Sequence, residues 1–510
     1  MKKTLLGLAL IGWSTQLFAQ TENDVLRYGY LSPGGTARGM SLGGAMGSVG
    51  ADITSASVNP AGIGLYRRSE LTFTPSLYLK NTKSDYNGGP EGKDNYTKFN
   101  FNNLGLVLSS ASWGRNYEKS KWKAFNFAIG MNRQADYHQQ YYYSGNNYNS
   151  SISDVWVNEI NAQGKYLVNY DGSSLQSLVS PAAYMAFQNY LIDPRASDST
   201  VFTNAPVHNQ SPVSATGILQ RKTSTSTGAY REMVLSVGAN YDEKLLLGAT
   251  VGIPSIRYTQ DFTFQEDDLT GDQTNAFGFN DYRSIFTTTG TGINLKLGAI
   301  VIPTDMIRIG VAIHTPTWFG MEDTYQEEMQ TNSENNPSNG GRPINSMTSD
   351  PGIYNYNMST PWRGIVSGTV LLGEYGFLTA DYEYVDYKAT RYRFQSEDRQ
   401  LQNDVNDAIR GTYKSASNFR VGAEGRLDMF AVRLGGGFYG NPYQKYSNNT
   451  RIDISGGIGM RTQDFLIDFA VVSSTYNQPD QPYVLPNTMV PTANIRNSNL
   501  NFMLTFGLRF

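Results

Sequence analysis

The 510-residue chain carries 41 basic and 44 acidic side chains, a formal net charge of −3, and only 17% of its residues are charged. The net charge by itself excludes no partner, but the sequence has no basic stripe of the kind found in nucleic-acid-binding proteins. The lack of cysteine excludes disulfides and thiolate metal sites. Gly (51), Tyr (34) and Phe (24) are abundant, yet no apolar run beyond the N-terminus reaches the roughly 20 residues of a membrane helix. The combination is typical of a transmembrane β-barrel.

Residues 1–19 are predicted to be a secretory signal peptide. Lys2 and Lys3 precede an apolar core from Leu5 to Trp13, and Ala19 is the expected cleavage residue. The alternative is a membrane anchor, for which the apolar run is short. We therefore expect the protein to leave the cytoplasm.

Residues 20–68 are predicted to form a hatch, a plug that fills the lumen of the barrel. The stretch from Gly34 to Gly62 holds small residues and shows no strand-like alternation. Gly and Ala permit close packing against other backbone, and Asn-Pro marks a turn. The hatch residues singled out are Gly39, Gly43, Gly44, Asn59, Pro60, Ala61 and Gly62.

Residues 69–510 are predicted to form an all-β transmembrane barrel of about fourteen antiparallel strands. Short connections follow the even-numbered strands and long ones follow the odd-numbered strands. Outer-membrane barrels have short periplasmic turns and long extracellular loops, so both chain ends are expected on the periplasmic side. The expected strands are 70–80, 98–110, 121–137, 229–241, 245–266, 283–302, 306–325, 354–372, 377–394, 414–426, 430–439, 450–461, 465–476 and 497–510.

The last strand shows the clearest alternation. Every second residue from Leu500 to Phe510 is large and apolar, and the residues between them are mostly small or polar. These two sets face opposite sides of a strand, which suits lipid on one side and a lumen on the other. A terminal Phe510 also resembles the signal by which the barrel-assembly machinery recognises outer-membrane barrels, so this machinery is an expected partner.

The longest loop, 138–228, is predicted to contain helices, because apolar residues recur there at helical spacing. These helices either pack on one another and on neighbouring loops, or present an extracellular groove for a hydrophobic ligand. The two roles are compatible. The candidate groove residues are Leu175, Leu178, Val179, Ala182 and Ala186.

The sequence contains one motif of a catalytic nucleophile, but it lacks the neighbouring elements that such a motif requires. Residues 39–43 match G-x-S-x-G around Ser41, but this motif requires a preceding strand and a histidine within reach. The chain has three histidines, and the predicted topology puts His138 and His208 on the extracellular side, whereas His314 lies in a strand. No catalytic site is predicted, and the chain is not expected to be an enzyme.

A short acidic and aromatic run around Asp381 could suggest a metal site. Asp381 and Glu383 share one strand face, and Tyr382, Tyr384 and, after a slip of one position, Tyr387 alternate with them. We interpret the run as a polar lumen wall with an outward aromatic girdle. No metal or cofactor is predicted. Haem would need an axial ligand, and no residue pattern marks one.

The glycine-rich run and the sequence that follows it resemble the N-terminal region of the FadL/TodX family of outer-membrane transporters for hydrophobic compounds. The resemblance implies a fourteen-stranded barrel plugged by an N-terminal hatch, in the cell outer membrane of a Gram-negative-type bacterium. Further similarity covers 297–317 and 381–387. The matching N-terminal residues are Gly39, Leu42-Gly43-Gly44-Ala45, Ala51-Asp52 and Asn59-Pro60-Ala61-Gly62.

Members of that family take up long-chain fatty acids or aromatic hydrocarbons. Ligand is captured outside, passes a pocket at the hatch and leaves sideways through a gap in the barrel wall. The resemblance therefore implies passive transport, with a hydrophobic ligand and outer-membrane lipid as partners. The alternatives are a haemin receptor, a nonspecific porin and a structural surface barrel.

The lateral exit of the resembled family lies at a kink in the third strand. In this chain that strand has apolar residues on one face, including Phe125 and Phe127, and small residues on the other, including Ala128 and Gly130. Glycine can bend or bulge a strand, so the exit is predicted near Gly130. The alternative is that Gly130 only makes room for hatch residues around Asn59-Pro60.

Overall fold

A computed structural model describes residues 24–111, 115–163, 172–195, 197–207, 213, 216–445, 449–486 and 488–510. The predicted signal peptide and His208 lie outside the described residues, so the signal peptide stays a prediction.

Nineteen strand segments join into one sheet of fourteen barrel strands, because four of the strands are interrupted by short breaks. The strands are β1 (Glu70–Asp85), β2 (Gly92–Ala111), β3 (Trp122–Asp136 and Gln139–Asn147), β4 (Ile218–Tyr241), β5 (Leu245–Asp268), β6 (Phe279–Thr304), β7 (Ile307–His314 and Trp318–Asn332), β8 (Ile344–Thr348, Gly352–Ser359 and Arg363–Leu371), β9 (Gly376–Asp386 and Arg391–Arg393), β10 (Ser415–Leu427), β11 (Phe430–Tyr439), β12 (Arg451–Arg461), β13 (Phe465–Asp480) and β14 (Ala493–Arg509).

The sheet closes on itself between its first and last strands. β1 pairs antiparallel with β2 on one side and with β14 on the other, from Glu70 opposite Arg509 to Asp85 opposite Asn494. This pairing joins the two ends of the sheet into a barrel, which is the condition for a sheet to cross a bilayer. The predicted barrel of fourteen strands is confirmed.

Several strands extend further than predicted at their long-loop ends. β4 begins at Ile218 and pairs with β5 as far as Asp268, whereas alternation predicted a start at 229. Its first residues are mostly Thr, Ser, Lys and Gln on both faces. Beyond the apolar layer both faces of a strand meet a polar environment, so apolar and polar residues need not alternate there. Only the backbone pairing in the structure shows that the strand continues.

An apolar belt surrounds the outside of the barrel. Leu508 and Phe506 of β14 are exposed, whereas Met503 and Thr505 between the outward positions of the same strand are buried. On β3, Phe125 is 55% exposed and faces outward as predicted. The hydrophobic face meets lipid and the polar face lines the interior, the reverse of a soluble barrel.

The described helices are short and lie at the N-terminus and in the connections. No helix in the described part of the chain is long and apolar enough to cross a membrane. The helices are α1 (Asp24–Gly29), α2 (Ala37–Ser41), α3 (Ser55–Val58), α4 (Arg115–Lys119), α5 (Ser153–Ala162), α6 (Gly172–Leu178), α7 (Pro181–Gln188) and α8 (Arg399–Thr412), with 3₁₀ turns at Pro60–Leu65, Pro337–Asn339, Gly373–Tyr375, Tyr387–Ala389 and Ser396–Asp398. A separate hairpin pairs Ile192–Arg195 with Asp198–Asn204.

The belt predicts that a charged substitution on the outer surface lowers the free energy of unfolding by an amount that depends on its depth in the membrane. Leu434 of β11 is 67% exposed within the belt, and Met429 lies at the turn before β11. Leu434→Arg should lower the free energy of unfolding by roughly 2–4 kcal/mol in lipid vesicles, and Met429→Arg by roughly 0–1 kcal/mol. Urea titration of the vesicle-inserted protein measures both. Equal losses at the two positions would show that Leu434 does not face hydrocarbon.

Candidate functional site

The barrel encloses residues 34–65 of the N-terminal segment. Thr36 caps α2 by accepting a hydrogen bond from the Gly39 amide at 3.1 Å, and its own hydroxyl donates to Asp52 at 2.8 Å. Asp52 also accepts from the Thr54 amide at 2.9 Å. Since small residues leave little apolar surface to bury, these local hydrogen bonds hold the segment compact.

The predicted glycines sit where a side chain would collide. Gly43 and Gly44 have φ of +66° and +74°, a region that favours glycine. A Cβ on Gly43 would lie 2.7 Å from the Gly436 carbonyl oxygen of β11, and one on Gly39 would lie 2.7 Å from Thr54 Oγ1. Gly62 packs equally closely, with Ser55 Oγ 2.7 Å from its Cβ position. The glycines therefore allow the segment to touch the wall and itself.

The Asn-Pro-Ala-Gly turn anchors the segment to three neighbouring strands. Asn59 Oδ1 accepts from the Ala61 amide at 3.2 Å, and Pro60 begins the 3₁₀ turn. Asn59 Nδ2 donates to the Ala299 carbonyl of β6 and to the Val311 carbonyl of β7, both at 3.3 Å. On β5, a Cβ at Gly248 would lie 2.2 Å from the Pro60 carbonyl carbon. On this side of the lumen the backbone of the segment packs directly against the backbone of the barrel wall.

Buried ion pairs connect the segment to the opposite wall. Arg38 lies 3.2 Å from Glu424 of β10, which also pairs with Arg433 of β11 at 2.7 Å. Arg433 continues to Asp468 of β13 at 2.6 Å. Buried charges are tolerated only when paired, so displacement of Arg38 would leave Glu424 with less compensation.

The acidic run on β9 belongs to the same wall. Asp381 accepts from the Gly47 amide at 3.1 Å, and Glu383 pairs with Arg363 at 2.7 Å. Tyr382 and Tyr384 face outward, as the girdle interpretation requires. Tyr387 is buried, because β9 ends at Asp386 and a 3₁₀ turn follows, so its assignment to the girdle was wrong.

The backbone contact at Gly248 gives a test of the enclosed segment. Gly248→Leu should displace residues 59–62 and raise ion conductance in planar bilayers severalfold, because no flexible side chain can yield there. Gly368→Leu is the matched control, since its Cβ meets nothing within 4 Å. Heat-modifiable gel migration checks that both variants fold. Parental conductance in a folded Gly248→Leu protein would show that the segment does not block the lumen.

A cavity of about 700 Å³ lies over the enclosed segment. Met40 contributes to it from the segment, Tyr30 from the residues just before the segment, and Tyr78, Tyr137 and Tyr258 from the wall. Its volume falls within the usual range for small-ligand sites, roughly 300–1,000 Å³. Two of its cations are neutralised, since Lys80 lies 3.0 Å from Asp136 and Lys222 lies 2.8 Å from Asp480.

The hydrogen-bonded seam between β2 and β3 ends beside this cavity. Paired residues run from Ala111 opposite Ala124 to Asn103 opposite Asn132, and no pairing follows although both strands continue. β3 has a register shift between Arg133 and Ala135 against β4. The wall is therefore interrupted above Asn132, at a bulge.

Side chains, not backbone, close the interrupted seam. Asp136 of β3 lies 3.0 Å from Lys80 of β1 and 2.9 Å from Arg133, and it accepts from Asn100 Nδ2 of β2 at 3.1 Å. His138 Nδ1 lies 3.2 Å from the same carboxylate. All five side chains are buried, that of Asp136 being 3% exposed. We refer to Asp136 with these four partners as the seam cluster.

Gly130 lies two residues below the last paired position. It pairs with Gly105 of β2, and a Cβ there would meet Ile53 Cδ1 and the Leu104 carbonyl oxygen at 2.9 Å. The room that Gly130 provides is thus used by Ile53 rather than by Asn59-Pro60. The bulge that sequence placed at Gly130 occurs at Arg133–Ala135, and the lateral exit near Gly130 stays a prediction.

The candidate groove residues lie within one apolar cluster of the loop helices. Leu175, Val179, Ala182 and Ala186 are buried there, and Leu178 is half-buried against it. The helices thus pack on one another and on β-strand side chains. A ligand groove on these residues stays a prediction, and it requires the helices to separate.

Glu266 fastens this helical layer to the barrel outside the membrane layer. Its carboxylate accepts from Ser151 Oγ at 2.6 Å and from the Ile152 amide at 3.0 Å, next to the start of α5. Gln220 Nε2 of β4 donates to it at 2.7 Å. Burial away from cationic partners raises the pKa of Glu266 to about 7.

This environment predicts a pH-dependent loop. Glu266 takes up a proton in the folded loop below about pH 7 but in an open loop only near pH 4.5, so stability rises as pH falls between those values. Hydrogen exchange of residues 153–162, corrected for intrinsic rate, should slow at least tenfold from pH 8 to pH 5. Glu266→Gln should abolish that pH dependence, whereas Asp350→Gln, in an exposed loop position, should keep it. An unchanged profile in Glu266→Gln would exclude this carboxyl as its origin.

Ser41, His138 and His314 each contact other partners within the described part of the chain. Ser41 Oγ donates to the Arg38 carbonyl at 2.8 Å, and His314 Nε2 lies 2.9 Å from the Val58 carbonyl oxygen. His138 belongs to the seam cluster. Among the described residues no group of three His, Asp or Glu side chains is arranged to hold a metal ion.

Comparison with known proteins gives structural matches only. No family model matches the sequence, and no curated protein matches it. A FadL homologue from Pseudomonas aeruginosa matches with a TM-score of 0.56 at 13% identity, over 94% of this chain and 100% of that chain. The toluene transporters TbuX of Ralstonia pickettii and TodX of P. putida match with TM-scores of 0.49, at 15% and 10% identity, over 94% of this chain and 99% of each.

The likeness to the P. aeruginosa structure concerns the fold. Both chains are covered almost completely, so the match includes the whole barrel and not one hairpin. The chain thus has the transmembrane barrel fold of the FadL type.

Proposed function

We propose that this protein is a passive outer-membrane transporter for hydrophobic compounds, such as long-chain fatty acids. The observation that carries the proposal is the cavity over the enclosed segment, which extends to the interrupted β2–β3 seam. Asn102, Arg133 and Asp136 line the cavity and also flank the interruption. A ligand in the cavity is therefore one side-chain layer away from the lipid outside.

The route has three parts in this proposal. Ligand enters between the extracellular loops, where separation of the helices around Leu175 and Ala186 would expose an apolar groove. It then occupies the cavity above residues 20–68, which act as the hatch. It leaves sideways between β2 and β3 through the interruption above Asn132, just beyond the predicted position Gly130, so that the apolar part never enters bulk water. The ligand's own gradient supplies the driving force, and no covalent chemistry is required.

The same proposal covers assembly and location. The outward face of β14 carries exposed Phe506, Leu508 and Phe510, as a strand facing lipid requires. Phe510 also donates its amide to the Ser69 carbonyl oxygen at 3.1 Å and so completes the closing pair of strands. We infer that this strand is the segment read by the barrel-assembly machinery, and that residues 1–19 direct export.

The cargo can be identified on the purified protein. Lipid extraction and native mass spectrometry should find a bound acyl chain, and titration with a long-chain fatty acid should give a dissociation constant near or below 1 μM, on the order of −8 kcal/mol. Haem absorption would favour the haemin receptor instead. An empty protein that passes sugars into liposomes would favour a porin.

The seam can be tested by reversible crosslinking, because the chain has no native cysteine. Asn100 and Asp136 meet at 3.1 Å across the interruption, so Asn100→Cys/Asp136→Cys can be bridged by a short reversible thiol crosslinker. Crosslinking should abolish uptake of labelled fatty acid while binding remains, and reductant should restore uptake.

The matched control pair lies below the interruption. Leu104→Cys/Met131→Cys joins residues that are already paired, so crosslinking there should leave uptake unchanged. The crosslinks are preferable to Gly130→Phe, whose ring would strike Ile53 and the Leu104 backbone. Full uptake through a crosslinked seam would place the exit elsewhere.

A further inference from the structure

A cleft of about 880 Å³ lies on the outer surface of the barrel, away from the lumen. Its wall is a row of outward residues in register across six neighbouring strands, from β4 to β9. The row is Arg231, Ser255, Thr291, Gly320, Asn357 and Arg393. Every member is exposed, and none is apolar.

A second row beside the first repeats its chemistry. Arg257, Thr289, Glu322 and Asn355 are consecutive partners on β5 to β8, and all four are exposed. The cleft thus offers three guanidinium groups and one carboxylate, together with hydroxyl and amide groups. Neighbouring strands are about 4.8 Å apart, so the six-strand row spans roughly 24 Å.

The arginines of the cleft form no salt bridge within the described part of the chain. Arg231, Arg257 and Arg393 make no ion pair within 4.0 Å of another described residue, and Arg231 has longer-range charge interactions with Arg133 and Asp136. Arg283, another outward arginine on β6, instead lies 2.8 Å from Asp261 and 3.1 Å from Glu328. Arginine presents a planar fork of donors that suits phosphate, so three such forks around one cleft indicate an anionic ligand.

The cleft stands at the edge of the apolar belt. One pairing step toward the membrane, the outward residues are Met233, Ile293 and Trp318, which are 41%, 52% and 54% exposed. Tryptophan is favoured at the membrane interface. A ligand that fills the cleft therefore has its polar part against the arginines and can lay an apolar part along these three side chains.

The cleft floor has room for such a headgroup. A Cβ on Gly320 would meet only Asn357 Oδ1, at 4.0 Å, so the surface above this glycine is open. Ser255 and Thr291 on either side are small. The open floor explains why the arginines at the ends of the row do not meet side chains between them.

We propose that this cleft binds the phosphate-bearing headgroup of a membrane lipid. The chemistry fits a phosphorylated glycolipid, whose sugar hydroxyls would meet the Asn, Ser and Thr groups, and it also fits an anionic glycerophospholipid. The proposal rests on the proposed placement of the barrel in an outer membrane and not on its cargo. Bound lipid would link six strands at the level where β7, β8 and β9 are interrupted.

The test is lipid binding to the full-length protein purified in detergent. Probes are a bisphosphorylated glycolipid, the same glycolipid without phosphate, and phosphatidylglycerol, each scored by native mass spectrometry. The triple variant Arg231→Gln/Arg257→Gln/Arg393→Gln should lose at least tenfold in binding of the bisphosphorylated glycolipid. Gly320→Trp, which fills the floor without removing charge, should lose binding as well.

A charge-matched control separates the cleft from overall charge. Arg283→Gln/Arg342→Gln/Arg496→Gln removes one half-buried and two exposed arginines elsewhere and should bind as the parent does. Stronger binding of phosphatidylglycerol than of glycolipid would assign the site to glycerophospholipid. Equal losses in both triple variants, or full binding in the cleft triple variant, would overturn the proposal. Fatty-acid binding in the cavity should be unchanged in all of them, so failure here is distinct from failure of the transport proposal.

Discussion

The whole structure depends on one requirement: every backbone amide and carbonyl of a sheet with an apolar outer face must have a hydrogen-bond partner. In hydrocarbon an unpaired amide or carbonyl costs several kcal/mol, so strands cross a membrane only when their sheet closes. The β1–β14 pairing provides that closure. Closure in turn creates an interior, and the inward side chains of a fourteen-stranded barrel do not fill it by themselves. The small-residue N-terminal segment occupies that space and pairs with wall charges such as Glu424.

The same constraint makes the β2–β3 seam significant. Everywhere below Asn132 the two strands exchange backbone hydrogen bonds, and separating them there would leave amides unpaired in lipid. Above Asn132 no backbone hydrogen bonds join β2 and β3, and the side chains of Asp136 and its partners hold the wall closed instead. Side chains can change partners by rotation about single bonds, whereas a strand pair separates only by breaking a row of backbone hydrogen bonds, so this is the part of the wall where an opening leaves no backbone amides unpaired.

The outside and the extracellular layer follow different rules from the lumen. The belt ends at Trp318, and the next outward row is polar and bears arginine at both ends. Further out, strands such as β4 continue with polar residues on both faces and carry the helical layer through Glu266. The outer surface of the barrel thus changes from an apolar belt to a polar row and then to polar strand ends, each with its own side-chain chemistry.

Sequence by itself determined the barrel, the strand count, the side of the short turns and the outward face of strands such as β14. Alternation and turn residues are local, and one face against lipid imposes them residue by residue. The tertiary structure decided what depends on register between distant residues. Lys80, Asn100 and Asp136 become one cluster, and Arg231 and Arg393 share one row, only because particular strands are neighbours. A one-residue change of register would separate each set without altering any local pattern.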